Sequence, residues 1–208
     1  MKLIVAALLL AGVLGGAAQA GDAWLSWTAA RAEAIGKAAY VRGRVGGIFD
    51  TRILKTERAY NYKLAATWLN AEAIRATARM LQLADRLSDD EARTLVAEAE
   101  SAGGTVVIVE IDPREGSGVI PTDWSAFLQP VMPGEVAGKS VRGVNTPALR
   151  EVKALAGVVR RNYDYDRFWV VFPLKHADGA PVIPGDAVAV ELVVRISGRE
   201  GHVRWPAS

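Results

Sequence analysis

The stretch Ser101-Ala-Gly-Gly-Thr-Val-Val-Ile-Val-Glu-Ile-Asp112 limits what this chain can fold into more than any other segment. Val106, Val107, Ile108, Val109 and Ile111 are β-branched, and their stiff χ1 angles suit a pleated strand better than a helix. The run is apolar on both faces until Glu110 and Asp112, which predicts a strand buried in the middle of a sheet. Gly103-Gly104 supplies the left-handed residue that ends a preceding helix. Pro113 cannot donate to a ladder and closes the strand.

What precedes this strand reads as mostly helical. Ala29 to Ala39 is alanine-rich and Thr28 is placed to cap it, with Gly36 the one weak point. Trp24 and Trp27 ahead of it are three apart, a spacing that fits packing onto a core better than an interfacial anchor. Ala71 to Leu87 forms a second helix behind a capping Asn70. Ile74, Ala78, Leu81 and Ala84 recur along one face, widened by Met80, Leu83 and Leu87. Ser88-Asp-Asp-Glu91 is a capping box opening a third helix, with Ala92, Leu95, Val96 and Ala99 on its buried side. Between the first two helices, Leu54, Tyr60, Tyr62, Leu64, Ala66 and Trp68 share one parity and polar residues hold the other. That pattern predicts a strand with one solvated face.

The last quarter is β. Phe168, Val170, Phe172 and Leu174 share one face, with Trp169 and Val171 on the other. Val188, Val190, Leu192, Val194 and Ile196 alternate with Glu191 and Arg195, and Val203 and Trp205 pair back after Ser197-Gly-Arg-Glu-Gly201, a hairpin of the longer glycine-containing kind. The region from Pro113 to Pro147 holds five of the nine prolines; Asp123 to Leu128 suggests one helical turn there. Pro147 to Arg161 fits either a helix or the start of a strand. The fold class that joins these elements is α+β, with alanine-rich helices packed on a mainly antiparallel sheet. The alternative is a helical N-terminal part followed, after about residue 103, by a small β-sandwich.

Residues 1–20 have the pattern of a secretory signal: Lys2, then an apolar Leu3 to Leu14, then Ala18-Gln19-Ala20 as a small-x-small cleavage site. The apolar part is shorter than the roughly 20 residues that span a bilayer; an uncleaved anchor is the alternative. Residues 21–208 then make a single exported domain, placed in the periplasm or outside the cell, with no membrane span. Zero cysteines mean no disulfides, so the core alone must hold the fold. The formal charge of +2 becomes +1 without Lys2. Arg42-Gly43-Arg44 and Arg160-Arg161 are the only tight basic clusters, which is too little for a nucleic-acid face.

No motif for catalysis, metal or cofactor survives inspection. Gly134-Glu-Val-Ala-Gly138-Lys139-Ser140 has three residues rather than four between its glycines, too few for a phosphate cradle, and reads as a surface turn. Tyr163-Asp-Tyr-Asp166 would begin a calcium loop, but Phe168, Trp169 and Lys175 occupy positions where ligands or glycine are needed. His176 and His202 have no partner at metal-ligand spacing, although His202 could meet Glu191 or Glu200 in space. Gly116-Ser117-Gly118 lacks the setting of a nucleophile elbow. The candidate site is therefore the loop that follows the central strand, with Asp112, Arg114, Glu115, Asp123 and Trp124 offering charges and an aromatic wall at a strand end. The leading functional expectation is a non-catalytic binding or accessory module for a small ligand, an envelope component or a protein. The alternatives are a carboxylate-dependent hydrolase of envelope glycan, drawing on Glu110, Asp112, Glu115 and Asp123, and an assembly protein that offers a sheet edge.

Overall fold

The computed structural model describes residues 21–46, 62–113, 120, 122–159 and 166–207. Three α-helices are formed among them: α1 (Ala29–Ala38), α2 (Ala71–Asp85) and α3 (Asp89–Glu100). The strands are β1 (Tyr40–Val45), β2 (Tyr62–Leu69), β3 (Thr105–Pro113), β4 (Ser125–Met132), β5 (Val136–Ala137), β6 (Val141–Arg142), β7 (Val144–Asn145), β8 (Asp166–Phe172), β9 (Ala189–Ile196) and β10 (Arg199–Pro206). All belong to one antiparallel sheet of order β5-β4-β9-β10-β1-β2-β3-β8-β7, with β6 paired to β4. The chain is α+β, and β1 and β2 lie in the same sheet as the strands after residue 103.

Local chemistry sets the helix ends. The side chains of Thr28 and Asn70 accept from the Arg31 and Ala73 N–H groups, each satisfying a donor that the first turn leaves orphaned. Ser88 and Glu91 form the reciprocal capping box: the Ser88 hydroxyl accepts from the Glu91 N–H, and the Glu91 carboxylate accepts from the Ser88 N–H at 2.7 Å. These bonds hold the Glu91 carboxyl below its ordinary range, with the Ser88 side chain the larger cause and its backbone the second. After α3 the chain turns at Gly103, with φ of +69°, and enters β3.

β3 lies between β2 and β8 and is buried on both faces as far as Glu110. Its two faces serve different cores. Val107, Val109 and Ile111 pack with Leu64, Ala66, Val170, Phe172, Leu192, Val194 and Val203 inside the curl of the sheet. Val106 and Ile108 join Trp24, Trp27, Ile74, Ala78, Val96, Leu155 and Trp169 in a second core that the helices cover. Trp24 and Trp27 are thus core residues, and Phe168 and Trp169 point to opposite sides as their alternation predicts.

The short strands β6 and β7 close the curl. Only Gly143 separates them. The first half of this ribbon pairs with β4 (Phe127↔Arg142), and the second half pairs with β8 (Val144↔Val171). The Gly143 N–H donates to the Ala126 carbonyl at 2.9 Å and the Thr146 N–H donates to Trp169 at 2.7 Å. The ring β4-β9-β10-β1-β2-β3-β8-ribbon is a barrel whose interior is filled by side chains rather than left as a channel.

Several expectations need correction. Asp123 to Leu128 is not a helical turn, because from Ser125 onward it belongs to strand β4. The strand is hidden in the sequence by Pro130. Val131 turns its carbonyl to the β9 side, where it accepts from the Val188 N–H, while the Pro130 carbonyl accepts from Gly138 at 2.8 Å. The missing N–H of Pro130 therefore faces away from β9, so the long ladder is intact. Pro147 to Arg161 supplies neither a regular helix nor a strand among its described residues, but two 3₁₀ segments, Pro147–Glu151 and Lys153–Leu155.

β2 has no solvated face beyond Lys63, since Ala65 and Thr67 on its outer side are buried as well. On α2 the buried stripe is Ala73, Ile74, Ala76, Thr77, Ala78 and Gln82, while Leu83 is exposed. The β9–β10 connection is a two-residue turn, Ser197-Gly198, with φ of 49° and 73°. Leu174 and Val188 lie just outside their strands and are exposed. The stretch from Leu54 to Asn61 lies outside the described residues. No helix among the described residues is long and apolar enough to cross a membrane.

Candidate ligand-binding cleft

A strand that pairs first with one neighbour and then with another leaves a wedge beside it. Where the ribbon leaves β4 for β8, the wall opens into a cleft of about 440 Å³ lined by Thr122, Trp124, Ser125, Ala126, Arg142, Gly143, Val144, Asn145 and Val170. That volume lies within the range of about 300–1,000 Å³ found for small-molecule sites. Gly143 is what lets the ribbon sit this low over β8. A Cβ there would stand 2.3 Å from Val170 Cγ1 and 2.6 Å from Phe172 Cε1.

Trp124 is held in place from within the barrel. Its ring lies 4.6 Å from that of Phe168, tilted by 49°, and both pack on the interior core. It is half-buried, so it gives the cleft a fixed aromatic wall at low entropic cost. Ser125, Thr122 and Asn145 add hydroxyl and amide groups, and none of the three makes a side-chain hydrogen bond within the described protein. Arg142 is the one charged residue in the lining and also has no ion pair or side-chain hydrogen bond there. Nearby basic side chains are engaged: Lys139 with Asp178 at 3.1 Å, Arg195 with Glu200 at 2.6 Å, and Arg204 with Glu135. Asp178 is held below its ordinary pKa first by the Ala180 N–H and next by Lys139.

Of the three predicted site residues that are described, Asp112, Asp123 and Trp124, only Trp124 lines the cleft. Asp123 precedes it in an exposed turn. Asp112 lies on the outer side of β3 and pairs with Lys63 across the ladder at 3.3 Å. Arg114 and Glu115 lie outside the described residues. Glu110 is buried against Arg167, whose Nε and Nη2 both donate to Oε1, at 3.0 and 2.8 Å. Glu110 and Asp112 are therefore engaged in ion pairs away from the cleft. Sequence reasoning missed Ser125, Arg142 and Asn145. Val141 and Val144 have opposite parity, so no alternation in Val141-Arg-Gly-Val-Asn145 marked a strand, and nothing in it named β4 as the partner.

Two other places offer less. A smaller cleft of about 190 Å³ lies between the end of α1 and β10, lined by Ile35, Trp68, Asn70 and Trp205 among others. Asn70 there caps α2 and Trp205 Nε1–H donates to the Ala39 carbonyl at 2.8 Å, which leaves the Glu72 carboxylate as the one uncommitted polar side chain of its described lining. His202 stands between Glu191 (3.6 Å) and Glu200 (3.5 Å) on an open strand face. No group of three or more acidic or imidazole side chains among the described residues could hold a metal ion. Comparison of the chain with family models, with curated proteins and with solved structures finds no match.

Proposed function

We propose that this chain is an exported, non-catalytic binding module that takes a small ligand in the cleft between β4 and the closing ribbon. The observation that carries the reading is the combination of a fixed aromatic wall with polar side chains that have no side-chain partner among the described residues. Thr122, Arg142 and Asn145 are exposed and Ser125 is half-buried, so their donors and acceptors can exchange water for a ligand, and such groups gathered round a concavity with an aromatic wall form a binding surface. Rigid strands on both sides keep the cleft in shape before the ligand arrives, which limits the entropy lost on binding. The signal-like residues 1–20 support export to the periplasm or beyond.

The test is a fragment screen by two-dimensional NMR on the purified protein, following the indole N–H of Trp124 and the amides of Gly143 and Asn145. Binders that shift these signals and lose at least tenfold in affinity in Trp124→Ala are the expected result. A screen in which every hit maps elsewhere, or none binds at millimolar concentration, would refute the reading. Export is checked separately by fusing residues 1–20 to a reporter that is active only outside the cytoplasm.

A further inference from the structure

We infer that the cleft selects a hydroxylated ring bearing a carboxylate, the chemistry of a uronic-acid sugar; this rests on the binding reading above. Three features of the lining point the same way. First, among the described residues its only charge is positive and uncommitted: Arg142 has no acidic partner there, whereas Lys139, Arg167, Arg195 and Arg204 each have one. A planar guanidinium with free donors matches a carboxylate in a two-pronged arrangement, and such charge-assisted bonds are about twice as strong as neutral ones.

Second, no Asp or Glu among the described residues lines the cleft, so an anion would meet no like charge from them. Third, Thr122, Ser125 and Asn145 supply both donors and acceptors without prior commitments. Ring hydroxyls are likewise donors and acceptors at once, and the apolar C–H face of a sugar packs on an indole such as Trp124. A fully apolar acid would leave the three polar side chains dry and unsatisfied, which costs affinity. A neutral sugar would leave Arg142 unused.

Isothermal titration of the purified protein with glucuronate, glucose and benzoate separates these cases. Glucuronate is expected to bind at least tenfold more tightly than either of the others. Arg142→Gln is expected to bring glucuronate down to the level of glucose while leaving the thermal melt unchanged, since Arg142 is exposed. Equal binding of glucose and glucuronate, or an Arg142→Gln protein that binds glucuronate as tightly as the parent, overturns the inference and leaves the binding reading standing. Preferred binding of benzoate does the same, in favour of an aromatic acid. Failure of glucuronate to bind at millimolar concentration overturns the inference, and the fragment screen then shows whether the binding reading falls with it.

Discussion

Gly143→Ala tests whether the ribbon closes the barrel. Gly143 does not have a positive φ, so its backbone conformation is open to alanine. In the absence of neighbours the change would stabilise by about 0.4–1 kcal/mol, because the unfolded chain loses freedom. The neighbours decide otherwise. The new methyl would lie 2.3 Å from Val170 Cγ1 and 2.6 and 2.8 Å from two ring carbons of Phe172. Both side chains are essentially inaccessible to solvent, at 1% and 0%. Val170 has little rotamer freedom with which to yield. Overpacking of this kind costs about 1–3 kcal/mol, so the net expectation is a loss of about 1–2 kcal/mol.

For a chain of this size that loss corresponds to a drop of roughly 2–8 °C in Tm. Urea denaturation and calorimetry read it directly. Gly185→Ala is the control, since a Cβ there meets nothing within 4 Å and is expected to be neutral or slightly stabilising. Adding Val170→Ala to Gly143→Ala is expected to cost less than the sum of the two single changes, by about 1 kcal/mol, because the truncated side chain makes room for the new methyl. A Gly143→Ala protein at least as stable as the parent, together with additive single changes, would show that the ribbon does not press on β8. The cleft it bounds would fall with it.

Four further outcomes are expected. Ser88→Ala should cost about 1 kcal/mol by removing the cap of α3. Because the Glu91 carboxyl is held below its usual value of 4.5, its share of stability is fully present above that pH and fades as the pH falls through the lower folded-state value. The stability difference between the parent and Glu91→Gln should be flat from neutral pH to about 5 and shrink below it; growth in acid would contradict the assignment. Arg167→Ala should cost about 3 kcal/mol in urea unfolding, at the low end for a buried pair because Arg167 is partly exposed, and Glu110→Gln in the same chain should recover part of it. Ser197→Asn should raise Tm slightly, since asparagine tolerates the left-handed φ of 49° in the two-residue turn better than serine does; a lower Tm would refute that.

Local rules made much of this protein legible. The three helices follow from caps at Thr28, Asn70 and Ser88, which act within three residues and need no distant partner. β3 announces itself by β-branched residues apolar on both faces, and β8, β9 and β10 by alternation. β4 escaped because Pro130 argues against a strand, and only the direction of its missing N–H, fixed by the neighbours on each side, makes it harmless. The outer face of β2 is hidden for a related reason: Ala65 and Thr67 look indifferent in the sequence, and only the tertiary fold buries them.

The cleft divides along the same line. Trp124 could be picked out as an exposed-looking aromatic beside the end of the central strand, because its type and local setting are properties of the sequence. Asp112 could be picked out as well, yet pairing across the ladder gives it to Lys63, and that pairing depends on register. Arg142 and Asn145 join the site only because the ribbon crosses from β4 to β8 over a glycine. Caps and periodicity are short-range and can be read residue by residue. Curl, closure and the wedge left beside a strand with two partners come from contacts between segments far apart in the chain, and those exist only once the whole sheet has formed.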